Sequence, residues 1–136
     1  MPRARLLIAL CMCVPALAAC GSTASTSSFK GVQHEVAQRV ADLQSDVTSS
    51  DRGKICKNDL AGSIVTKLGG TKKCEESLKH QLAQIDNLET TIVSVKVAPD
   101  GKSATAGVKS TYEGKSREKT LPLVKEGASW KVSGPP

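Results

Sequence analysis

Up to about residue 90 the apolar side chains recur every three or four positions, and after it they recur every second position. A chain that changes period once in this way is restricted to helices followed by a sheet that they cover. Val32, Val36, Val40, Leu43 and Val47 share one face of a helix predicted over 31–49, and Glu35, Gln38, Arg39, Asp42 and Asp46 take the other. After the break at "SSDRG", Cys56, Leu60, Ile64 and Leu68 continue at steps of four. The "LGG" at 68–70 then supplies a glycine stop. Thr71 is predicted to cap a third helix, on which Cys74, Leu78, Leu82 and Ile85 share a face and which ends near 86–87.

In the second half, Thr91, Val93, Val95 and Val97 alternate with Ile92, Ser94 and Lys96, and "PDGK" at 99–102 is a hairpin turn. The returning strand is predicted over 103–112, with Ala104, Ala106 and Val108 on one side. "EGK" at 113–115 turns the chain into a third strand, 117–125, where Leu121 and Leu123 share a face and Pro122 marks an edge or a bulge. "EGAS" makes the last turn, and "WKVS" closes the sheet with Trp130 and Val132 together. The fold class expected is therefore α+β, N-terminal helices packed on a curved antiparallel sheet. Residues 29–136 are of a size to form one domain with one modest core.

This order of elements resembles the half-open cone of the nuclear transport factor 2 and ketosteroid isomerase superfamily. With the Cys56 and Cys74 spacing and the "EGASWKV" ending, it is similar to small actinobacterial lipoproteins of that superfamily. The resemblance spans nearly all of residues 30–134 and implies a cone able to hold a small apolar ligand. Cone pockets are usually lined by aromatic side chains, and this chain has one Phe, one Trp and one Tyr.

The amino-terminal residues carry a second signature. Arg3 and Arg5 precede an apolar run over 6–19, after which the chain turns abruptly to "GSTASTSS", the layout of a bacterial export signal. The run is short of the about 20 residues that a membrane span needs. Two cleavage sites compete. Ala16 and Ala18 suit an ordinary signal peptidase cutting after Ala18. Leu17, Ala18, Ala19 and Cys20 resemble the lipobox of bacterial lipoproteins, in which the cysteine receives a diacylglyceryl group and the cut falls before it.

Cysteine arithmetic favours the lipobox. Cys11 and Cys13 lie in the discarded segment, which leaves Cys20, Cys56 and Cys74. A lipid on Cys20 consumes one thiol and leaves Cys56 and Cys74 as a disulfide pair in an oxidising compartment. They sit on the apolar faces of successive helices, so they can meet. The expected organisation is a lipoprotein signal peptide over 1–19, a lipid-anchored tether over 20–28 and a single domain over 29–136. Two acyl chains would give a lasting anchor on the extracytoplasmic face of the cell membrane. The Gly, Ser, Thr and Ala residues of 21–28 read as a flexible spacer reaching about 15 Å.

Chemistry-bearing motifs are few. His34 lies off the apolar stripe of its helix and His80 falls on the polar side of its own; neither has a partner at metal-ligand spacing, and no metal or other cofactor is expected. No nucleophile elbow, phosphate loop or dinucleotide fingerprint occurs. The isomerases of the superfamily pair an aspartate base with a tyrosine donor. Tyr112 is the one tyrosine, and its place beside a turn reads as a rim residue, so no catalytic residue is assigned. Without Arg3 and Arg5 the count of 19 basic and 13 acidic side chains becomes 17 and 13. Residues 91–136 hold eight basic groups against four acidic, so the sheet half carries the excess. That face suits either anionic headgroups or the blocking of edge-to-edge pairing. An exported chain without interleaved aromatics is not expected to bind nucleic acid. The expected role is a membrane-anchored, non-enzymatic module that binds a small apolar ligand or an envelope protein. An isomerase or dehydratase on the same cone and a structural accessory docking on another envelope protein are the alternatives.

Overall fold

The computed structural model describes residues 24–85 and 87–134. Helix α1 (Val32–Thr48) is followed by a three-residue turn of helix, α2 (Arg52–Lys54), a π-helical segment Ile55–Asp59, and helices α3 (Gly62–Lys67) and α4 (Thr71–Leu82). Strands β1 (Leu88–Val97), β2 (Ser103–Tyr112), β3 (Lys115–Glu126) and β4 (Ser129–Val132) then form one antiparallel sheet in sequence order. Helices before a curved four-stranded antiparallel sheet make this an α+β fold.

The core lies between α1 and the inner face of the sheet. Val36, Ala37, Val40 and Ala41 pack against Ile92, Val95, Ala106, Val108, Leu121, Leu123, Trp130 and Val132. Small residues on β2, Ala104 and Ala106, line the core under the helix, and each Val, Leu or Ile side chain removed from water contributes about 1.5–3 kcal/mol. The first residue of the expected stripe departs from it. Val32 is 42 % exposed, and the buried face of α1 begins at Val36.

Strand β1 does not keep one phase. Its register with β2 slips between Ile92 and Ser94, so Val93 bulges outward and Ile92 and Val95 both point inward. The strict alternation expected of 91–97 is corrected accordingly. The cause sits across the ladder: a Cβ on Gly107 would stand 2.5 Å from Ser94 Oγ and 3.1 Å from Val93 Cγ2. Only glycine admits that close approach of β1 to β2. Gln33 Nε2 donates to the Val95 carbonyl at 3.1 Å and ties the bulged strand to α1.

The expectation that Pro122 marks an edge or bulged strand is corrected: β3 lies between β2 and β4, Pro122 pairs with Thr105 in an unbroken register, and its missing N–H falls just past the end of β4. Ser133 N–H donates to the Pro122 carbonyl at 2.9 Å, on the side where Pro122 has no N–H to return, and β4 ends at Val132.

The second expected helix is broken. Leu60 and Ala61 are extended, with ψ of 142° and 145°, and the Ala61 N–H donates to the Val132 carbonyl at 2.8 Å. The chain leaves helix there to cover the open edge of β4, so Ile64 and Leu68 do not continue the stripe of Cys56, and Leu68 is 38 % exposed. Thr71 is the first residue of α4 and not its cap. Gly70, at φ 95°, precedes it without any side-chain cap, and α4 ends at Leu82, before the expected 86–87.

Candidate functional site

Helix α1 covers only part of the sheet. Beyond it, the inner face runs on through Leu88 and Thr90 of β1, Ser110 and Tyr112 of β2, and Lys115, Arg117 and Lys119 of β3. Opposite lie the second half of α1, with Leu43 and Val47, and α4 with Leu78 and Leu82, followed by Ile85. Together they enclose an open groove of about 750 Å³ whose lining is mostly apolar. That volume falls within the range of small-molecule sites.

Helix α4 is one wall of this groove and is fastened at both ends. Its principal contacts are with α2, the π-helical segment and α3. Near its start Cys74 is joined to Cys56 of the π-helical segment, with the Cα atoms 6.1 Å apart. Just past its end, the Tyr112 hydroxyl donates to the Gln84 carbonyl. Between these points only Cys74 and Leu82 of α4 are fully buried, so the helix lies over the groove as a strap.

The chain enters the domain beside the groove. Ala24 is buried, and its N–H donates to Gln44 Oε1 at 2.8 Å, while Gln44 Nε2 donates to the Leu88 carbonyl at 3.2 Å. A buried amide with both ends satisfied is stabilising, and this one joins three segments. The spacer expected over 21–28 is thus shortened, since residue 24 is already part of the core. Cys20 and the lipobox residues Leu17, Ala18 and Ala19 lie outside the described residues.

A second hollow, of about 490 Å³, is lined by charged and polar groups, among them Arg39, Asp42, Asp46, Lys54 and Lys131. Behind it Asp59 is fully buried, and Arg39 Nη1 donates to Asp59 Oδ1 at 2.8 Å. Burial pushes the Asp59 carboxyl up to about 7, against the pull of the Arg39 hydrogen bond, and the nearby Asp46 charge adds to the rise. Asp59 Oδ2, Arg39 Nε and Trp130 Nε1 are buried with no hydrogen-bond partner among the described residues. At the surface, the Lys54 N–H donated to Asp51 Oδ1 at 3.0 Å holds the Asp51 carboxyl below its ordinary value.

The residues singled out from sequence fall as follows. Cys56 and Cys74 are joined. Both histidines are exposed, His34 with its Nδ1 3.2 Å from the Thr26 carbonyl oxygen. Tyr112 lines the groove, whereas Asp42 and Asp46 line the polar hollow, so the structure does not bring an aspartate of that hollow to the tyrosine. Sequence reading missed Gln44 and Asp59 as buried polar residues, and Asp46, which it placed on the polar face of α1, is buried too. The signals were present: Gln44 stands four residues after Val40 on the apolar stripe, and Asp59 three after Cys56. Among the described residues no cluster of three His, Cys, Asp or Glu side chains could hold a metal ion, and no helix is long and apolar enough to cross a membrane.

Comparison with family models, curated proteins and solved structures returns no match for this chain. The class defined by the coordinates is thus an α+β domain with a strapped apolar groove.

Proposed function

We propose that this chain is a membrane-anchored envelope lipoprotein of the nuclear transport factor 2-like type, whose groove binds a small apolar ligand without transforming it. The observation that carries the reading is the groove itself. A domain of this size ordinarily spends its apolar side chains on a closed core, yet Leu43, Val47, Leu78, Ile85 and Leu88 line an open hollow and are only partly buried. The Tyr112 hydroxyl is engaged with a backbone carbonyl, and Glu113 is the one carboxylate among the described lining residues. Both points support a binding role over proton-transfer chemistry. The anchor would be the diacylglyceryl group on Cys20, only four positions ahead of the buried Ala24, so the groove would sit close to the membrane surface.

The test is a neutral fluorescent probe such as N-phenyl-1-naphthylamine, titrated against the full chain and against a Leu43→Trp variant that fills the groove. Probe emission should rise with the natural sequence and fall to background with the variant, at matched melting temperature. Equal emission from the two would contradict the proposal.

A further inference from the structure

We infer that the groove is built for an acyl chain that ends in a carboxylate, with the head held by Lys115 and Arg117 and the tail lying against Leu43, Leu82 and Leu121; this rests on the groove reading above. The observation is the distribution of charge along β3. Positions 115, 117 and 119, which share the inner face with Leu121 and Leu123, are Lys, Arg and Lys, while the intervening outer positions are Ser116, Glu118 and Thr120. Cations are therefore confined to the side that faces the groove. Inward-pointing charges also guard a free edge; here they border an apolar hollow, which edge protection does not require.

The groove is unbalanced as well as apolar. Three of its lining residues are cations and Glu113 is the one described carboxylate. Neither the Lys115 nor the Arg117 side chain has an ion-pair or hydrogen-bond partner among the described residues. The planar guanidinium of Arg117 matches a carboxylate with two parallel hydrogen bonds, and Lys115 adds a point charge beside it. Apolar floor and cationic rim together describe an anionic amphiphile, and about 750 Å³ fits one acyl chain better than a two-chain lipid.

The test uses the full chain in phosphatidylcholine bilayers with two photoreactive probes of equal length, a diazirine fatty acid and the corresponding fatty alcohol, read by mass spectrometry of the crosslinked peptides. The acid should label the peptides of α1 and α4 roughly threefold to tenfold more than the alcohol, the gain expected of two solvent-exposed charge pairs. A Lys115→Gln, Arg117→Gln double variant should bring that ratio near one. Equal labelling by acid and alcohol in the natural sequence would overturn the head-group inference and leave the groove reading standing. Absence of groove labelling by either probe would overturn both.

Discussion

Removing the Cys56–Cys74 bridge should loosen the groove before it unfolds the sheet. The bridge closes a loop of 18 residues, for which the chain-entropy relation gives about 3 kcal/mol. With an unfolding entropy of about 2.1 cal/mol/K per residue over about 110 residues, a loss of that size lowers the melting temperature by about 13 °C. Both sulfurs are buried, Cys56 at 3 % and Cys74 at 0 % exposure, so a Cys56→Ala, Cys74→Ala double variant avoids placing new hydroxyl groups in the interior. Since α4 touches mainly α2, α3 and the π-helical segment, the effect should be local as well as global. Hydrogen exchange should accelerate first in α4, while the amides that pair β2 with β3 keep their protection relative to the new global stability. Calorimetry and exchange mass spectrometry on the same samples read both effects. An unaltered melting temperature, or uniform acceleration across α4 and the sheet, would refute the idea of a strap pinned by the disulfide.

Three further outcomes follow from other parts of the molecule. Asp59 is raised from 3.8 to about 7 by burial, so between those values the folded chain keeps a proton that the unfolded chain has lost. Stability should therefore fall as pH rises through that window and level off above it; Asp59→Asn should flatten the slope of urea midpoints, and an unchanged slope would contradict the assignment. Gly107→Ala should cost about 1–3 kcal/mol in urea unfolding, because its Cβ would stand 2.5 Å from Ser94 Oγ, and Ser94→Ala should restore part of the loss; an unchanged midpoint would show that the bulge is not held by that contact. Cys20→Ala should release the protein from membranes or leave an uncut precursor, and unchanged processing and membrane binding would remove the lipobox.

Much of the architecture was legible because hydrophobic period reports directly on burial. The stripe Val36, Val40 and Leu43 and the strand 103–112 both follow from which side chains must leave water and which N–H groups must pair. The failures share a cause. The break at Leu60 and Ala61 depends on the edge of β4 needing a cover more than 70 residues away, and the bulge at Val93 depends on Gly107 across the ladder. Local pattern carries no information about such partners. Gln44 and Asp59 were hidden for the opposite reason: each occupies an apolar-phase position, but a polar side chain there signifies a buried network only once its partners are placed. The cationic side of the groove could not be read, since its inner-face cations look like ordinary strand lysines until register assigns them a side.

The binding role requires that the groove carry a ligand in its own envelope. A native mass spectrum of the full-length protein, extracted gently from that envelope, reads this directly. An added mass beyond any lipid on Cys20, lost on denaturation and matching a fatty acid, is the expected result. A spectrum showing the lipidated chain alone, with no further mass before or after denaturation, would contradict it.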